Sequence, residues 1–232
     1  MGSDIMISSV NYLRQADLVD VGTLRDSTIT IIGAGAVGSF TILTLAKMGV
    51  GHVEVYDNDG INDHNLPNQF FRIQDIDQHK VHALRNIVLE FSDAEIRPFN
   101  ELYNSQLLAQ TVIVATDTMS SRRIVWEQFN NQLQCSHYIE ARMGAELGRI
   151  YTISKKDGKI ADEDINFYES VLVSDNTIIP LRCTARAIIY NVLMIASLIC
   201  RSYKGIIQNE KIPREQVFNM QEINRASFMV RI

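Results

Sequence analysis

The run from Thr28 to Asp59 constrains this chain more than any other feature. An apolar segment, Thr28-Ile-Thr-Ile-Ile, enters a glycine turn, Gly33-Ala-Gly35-Ala-Val-Gly38, and a second apolar segment beginning at Val53 ends in acid at Asp57-Asn-Asp59. A strand, a tight turn, a helix and a second strand are predicted. The first glycine permits the turn, the second lets backbone N–H groups approach a phosphate, and the third lets the helix pack against the strand. The helix then faces the anion with its positive end. Asp57, at the end of the second strand, is placed to accept hydrogen bonds from a ribose. Taken alone, the pattern suits nicotinamide, flavin and ATP users alike.

At 232 residues, 46% apolar and 21% charged, the chain can build one sizeable α/β core with an appendage. Its formal net charge of −5 argues against a broad nucleic-acid or anionic-membrane surface, so neither partner is expected. Cys135, Cys183 and Cys200 are widely separated and form no C-x-x-C pair, which supports neither a zinc site nor a disulfide framework. A reducing, cytoplasmic setting is expected. Met1-Gly-Ser-Asp lacks the basic-then-apolar order of a signal peptide, and the apolar stretch from Ala187 to Cys200 is too short to span a bilayer.

Along the chain, residues 1–27 read as an N-terminal helical arm, helical over Ile5 to Leu24. Helices are predicted over Ala36 to Met48, from an Asp77 cap to about Phe91, over Ser121 to Gln132, and over Cys183 to Tyr203 with Gly205 as the stop. Strands are predicted over His52 to Tyr56, Glu95 to Phe99, Thr111 to Thr116, His137 to Arg142 and Glu146 to Ile153. One or two more fall within Gln216 to Ile232. This alternation predicts a single-domain α/β fold over residues 1–232: a Rossmann-like, doubly wound, mainly parallel sheet with helices on both faces and a mixed C-terminal extension. Residues 28–154 form the nucleotide-binding core, the polar and acidic stretch 155–182 reads as a loop over the site, and 183–232 supply a helix and strands.

Beyond the glycine turn, an ordered set continues: Asp57-x-Asp59, Asn65-Leu-x-x-Gln69, Lys80-Val, Thr116-Asp117 and Arg122. Over about residues 10–150 this set resembles the ThiF/MoeB/HesA superfamily, adenylyltransferases related to ubiquitin-activating enzymes. The resemblance implies that Gly33, Gly35, Gly38, Asp57 and Asp59 form the ATP pocket, that Asn65, Gln69 and Lys80 meet the phosphates, and that Asp117 organises Mg2+. Arg14, in Tyr12-Leu13-Arg14-Gln15-x-x-Leu18, resembles an arginine that reaches into the partner subunit's site, which implies a homodimer. The implied reaction is ATP-dependent activation of a C-terminal carboxylate, on a ubiquitin-like or sulfur-carrier protein or a peptide, with Arg14, Lys80 and Asp117 as catalytic residues. Charge developing on departing pyrophosphate requires a lysine, an arginine and a metal-bound acid, which this set supplies.

Two departures from the family pattern bear on rate. Asn68 stands where the family has an arginine and His64 where it has a serine. Arg72, four residues on, is the candidate to supply the missing phosphate-facing charge. The C-x-x-C pairs of many relatives are absent, so no structural zinc is expected. Cys183-Thr184 resembles the Cys-Thr pair with which several ubiquitin-activating enzymes form a thioester, but a cysteine opening an apolar helix also reads as a core residue. Cys135 and Cys200 read as core. The alternatives to adenylation are an NAD(P)- or FAD-dependent oxidoreductase, which would retain the turn and Asp57 only, and a weakened nucleotide-binding module acting through protein partners. A tRNA threonylcarbamoyladenosine dehydratase would share the chemistry, but it calls for a basic patch that the sequence lacks.

Overall fold

A computed structural model of the chain describes residues 10–173, 188–225 and 229–231. Its strands are β1 (Thr28–Ile32), β2 (His52–Tyr56), β3 (Glu95–Phe99), β4 (Thr111–Val114), β5 (His137–Gly144), β6 (Leu147–Ser154), β7 (Glu215–Asn219) and β8 (Met229–Arg231). They join in one sheet in the order β3-β2-β1-β4-β5-β6-β7-β8. The pairs from β3 through β5 are parallel, and those from β5 through β8 antiparallel. The sheet is therefore Rossmann-like with a mixed C-terminal extension, as the alternation of elements predicts. Its order reverses between β1 and β4, and that crevice is where such sheets bind ligands.

The helices are α1 (Val21–Asp26), α2 (Ala36–Met48), α3 (Lys80–Leu89), α4 (Met119–Asn131), α5 (Asp162–Val171) and α6 (Ile189–Ile207). Side chains of α2, α3 and α6 form one core against the sheet with Ile31, Val55 and Ile139, while α4 and α5 bury Trp126, Phe129 and Tyr168 against Val112, Tyr138 and Tyr151 on the other face. Odd and even positions of β5 thus serve different cores, which is the pleat alternation expected of a sheet covered on both sides.

Four predicted elements are corrected. The stretch 155–182 is not a plain loop, because it contains α5. Its acids Asp162, Glu163 and Asp164 occupy the helix's first turn, where the macrodipole favours them. Ile165, Tyr168 and Leu172 pack below, with Tyr168 4.3 Å from the Trp126 ring. Asp77 caps no helix: its φ is 70° and α3 starts at Lys80 after His79. Gly205 does not stop the last helix, which runs on to Ile207. A Cβ at Gly205 would lie 2.1 Å from Ile212 Cδ1, so the glycine makes room for the chain folding back. The predicted N-terminal helix is, within the described residues, a 3-10 turn at Leu13–Gln15 followed by α1, whose cap Asp20 accepts from Thr23 N. Cys183 lies outside the described residues. Cys135 and Cys200 are buried in the core, and burial pushes the Cys135 thiol up to about 12.

Candidate functional site

The glycine turn lies where β1 feeds α2, and each glycine has a distinct reason to be there. Gly33 has φ of 98°, and a Cβ on it would fall 2.6 Å from the Ala115 carbonyl oxygen at the end of β4. A Cβ on Gly38 would lie 1.9 Å from the Gly33 carbonyl oxygen, so only glycine lets α2 start this close to the strand. Around Gly35 nothing lies within 4 Å of a built Cβ, leaving an open cradle at the helix N-terminus. Such a cradle, lined with backbone N–H groups, fits a phosphate.

Asp57, at the end of β2, accepts from Ala34 N at 2.7 Å and from Asp59 N at 2.8 Å, which ties the second strand to the glycine turn. Burial raises its pKa above the usual 3.8 against the opposing pull of Lys80 and these two N–H groups. Lys80 opens α3 with its side chain only 7% exposed, and its Nζ lies 2.7 Å from Oδ2 of Asp59, which is 64% exposed. The ammonium is thus held inside by an acid that reaches out.

The Asn65–Gln69 segment sits on the same end of the sheet. Asn65 Oδ1 accepts from Asn62 N at 2.9 Å, and Gln69 N donates to Asn65 O at 3.0 Å. Phe70 N donates to the buried Ser39 Oγ at 2.9 Å, which fastens the segment to the first turn of α2. Ser39 escaped the sequence reading because a lone helix serine carries no pattern. Gln69 Oε1 and Thr116 Oγ1 are buried without a hydrogen-bond partner among the described residues. Thr116 abuts the Gly33 turn, so its orphaned oxygen fits a site shaped for a polar ligand.

Asp117 lies exposed just beyond β4, across the crevice from the glycine turn. Thr118, not Asp117, caps α4. Among the described residues no three His, Cys, Asp or Glu side chains cluster as for a metal. One carboxylate is nevertheless a suitable protein share for Mg2+, which takes much of its coordination from water and substrate phosphates.

Three expected residues lie away from the pocket. Arg72 is locked to Asp75 at 2.9 Å from both Nε and Nη2, and its Nη1 pairs with Glu90, so its charge closes the turn before α3. Arg122, expected around the pocket, is buried: its Nη2 donates to the carbonyls of Thr116 and, at 3.3 Å, Ala141. Arg14 is exposed in the turn whose Gln15 donates to Met48 O at 2.7 Å, at the C-terminal end of α2. Across the 13 residues of α2, that is about 20 Å from the chain's own glycine turn.

Sequence reading also missed Glu140 and Arg142, fully and largely buried within β5, where β4 ends beside Glu140. Their only signal was a charged pair two apart in an otherwise apolar strand. A separate cleft of about 480 Å3, with His137, Thr152, Ser154 and Arg214 in its walls, opens at the opposite end of β5. Its acids Glu163 and Asp164 are paired with Arg214.

Fold and site together define a Rossmann-like nucleotide-binding protein. The chain belongs to the ThiF family, whose model matches residues 9–231. A probable molybdopterin-synthase adenylyltransferase of Porphyra purpurea is 31% identical over 121 residues, 49% of this chain and 32% of that protein. The sulfur carrier protein ThiS adenylyltransferase of Escherichia coli K12 is 29% identical over 127 residues, 49% of this chain and 51% of that protein. The chain thus spans about a third to a half of these relatives. E. coli MccB, solved with ATP, superposes with a TM-score of 0.69 over 91% of this chain and 65% of that one, at 17% identity. These two curated relatives are adenylyltransferases by name. Among the described residues no helix is long and apolar enough to cross a membrane.

Proposed function

We propose that this chain is an ATP-dependent adenylyltransferase that activates the C-terminal carboxylate of a ubiquitin-like or sulfur-carrier protein, or of a peptide, as an acyl-adenylate. A carboxylate oxygen attacks the α-phosphorus, a P–O bond forms, the α–β anhydride bond breaks, and pyrophosphate leaves with the displaced electron pair. The observation that carries this reading is the buried Lys80 held at the crevice by an exposed Asp59. A departing pyrophosphate needs such a cation, whereas a nicotinamide site does not.

In this reading the Gly33–Gly38 turn cradles the phosphates, Asp57 accepts from the ribose, and Asn65 and Gln69 line the phosphate path. Asp117 would hold Mg2+, which supplies Lewis-acid charge to phosphate oxygens. Arg14, too far from its own site, serves the site of a second copy in a homodimer working in the cytoplasm. Asn68 and the pairing of Arg72 favour a second reading, a nucleotide-binding module with weakened turnover, because both leave one phosphate-facing charge unsupplied.

Thermal stabilisation by Mg-ATP, NAD, NADP and FAD in parallel tests the first step. Ligand at about one hundred times its Kd adds about 2.7 kcal/mol, or roughly 5–10 °C in Tm for a chain of this size. A shift with Mg-ATP that is lost in Asp117→Ala supports adenylation, and ATP–pyrophosphate exchange with candidate carboxylates then separates enzyme from module. A shift with NAD or FAD alone overturns the proposal.

A further inference from the structure

Glu140 is a fully buried charge that the proposed reaction does not use. It is 0% exposed on β5, in register with Val114 of β4. The Arg142 fork holds it through Nε at 2.6 Å and Nη2 at 3.1 Å, and the Tyr168 hydroxyl donates to its Oε2. Arg122 Nε lies 2.7 Å from Oε1 without hydrogen-bond alignment, so that contact is an ion pair. Burial opposes the Arg142 charge, but the hydrogen bonds and charge of Glu140 outweigh it and hold the guanidinium above its ordinary value. Two arginines against one carboxylate leave the cluster an excess positive charge at the strand ends.

A cluster of this kind is a poor route to stability, because buried ion pairs roughly break even with apolar packing. What distinguishes it is where the remaining donors go. Arg142 Nη1 donates to Val171 O at 2.7 Å, and Arg122 Nη2 donates to Thr116 O and Ala141 O. Thr116 is the residue before Asp117. Ala115 N, one step earlier, donates to Ile32 O at 2.8 Å. The turn is therefore gripped from β1 on one side and by Arg122 on the other, and Arg122 is fixed in turn by Glu140.

We propose that Glu140 is a positioning residue for Asp117: by fixing Arg122 it fixes the Thr116 carbonyl, and with it the direction in which the next residue presents its carboxylate. What Asp117 does once positioned rests on the adenylation reading; how the turn is held does not.

Glu140→Gln keeps the size and an acceptor but removes the charge, and two readouts test it. In hydrogen–deuterium exchange the amides of residues 115–119 are expected to exchange about tenfold faster, with β1 and α2 unchanged. In calorimetry of ATP binding with and without Mg2+, the affinity gained from Mg2+ is expected to shrink about tenfold while Mg2+-free binding stays at the wild-type value. A merely structural role would lower Tm without selecting these readouts. A folded Glu140→Gln protein with wild-type exchange over 115–119, or with the full Mg2+ gain, overturns the proposal. Should Glu140→Gln not fold, Arg122→Lys decides by the same two criteria, since it keeps a cation but loses the Nη2 that donates to both carbonyls. Unfolding of both variants makes the cluster a stability element and also overturns it. A wild-type protein that does not bind Mg-ATP defeats the adenylation reading instead, and exchange over 115–119 then judges the positioning alone.

Discussion

Two charged clusters stand at the carboxyl ends of the parallel strands, and they are built in opposite ways. At β2 a buried Lys80 is met by an acid 64% exposed, while at β5 a fully buried Glu140 is met by two arginines. The first can exchange its partner: Asp59 is 64% exposed and can turn to water as an incoming phosphate takes over the ammonium. The second cannot, because any exchange strands a charge in the core. Openness suits a group that must meet ligand, and closure suits a group that must hold backbone still.

The comparison breaks first on stability. Glu140→Ala is expected to cost about 3–5 kcal/mol, from leaving buried arginines unpaired, whereas Asp59→Asn should cost less, because Asp59 is exposed and the charge of Asp57 still faces Lys80. Chemical denaturation of the two variants checks this, and equal losses would show that the β2 cluster is also sealed. The next effect is on activity. Lys80→Ala should lower ATP–pyrophosphate exchange by about a hundredfold or more with the fold intact, as expected for a donor that stabilises developing charge. Exchange persisting at the wild-type rate would remove Lys80 from the site.

Smaller effects sharpen the same contrast within the glycine turn. Gly38→Ala should destabilise by about 1–3 kcal/mol, because its Cβ would meet the Gly33 carbonyl. Gly35→Ala should leave Tm near the wild-type value while weakening ATP binding, because its Cβ enters the open cradle. A Gly35→Ala protein that binds ATP as well as wild type would place the phosphates elsewhere.

The smallest effect is in pH. The Asp57 pKa is raised above 3.8 by burial, so its contribution to stability is fully present below 3.8 and is lost as pH rises through the folded value. Asp57→Asn should remove that loss, so that Tm of the variant relative to wild type climbs with pH through this window. A constant difference would mean that Lys80 and the N–H bonds from Ala34 and Asp59 just balance burial.

Most of the nucleotide-binding half was legible in the sequence. Ala36–Met48, His52–Tyr56 and Glu95–Phe99 coincide with their predicted ranges, because each is bounded by a glycine or polar break and carries local periodicity. The three glycines were legible for the same reason: turn geometry is a property of neighbours in sequence. Asp162, Glu163 and Asp164 misled, since acids that suit a helix's first turn read as loop when the buried partners of Tyr168 lie far along the chain.

By itself the sequence determined the alternation of strands and helices, the glycine turn, the acid after β2 and the order of Asn65, Gln69, Lys80 and Asp117. Local sterics and hydrophobic period specify all of these within a few residues. Only the tertiary structure decided which charges face the crevice. Arg72 went to Asp75 and Glu90, Arg122 and Arg142 to Glu140, and Lys80 to Asp59. A side chain's partner is chosen by the low-dielectric surroundings into which the fold carries it, and that choice joins residues as distant in sequence as Lys80 and Asp59 or Arg122 and Glu140.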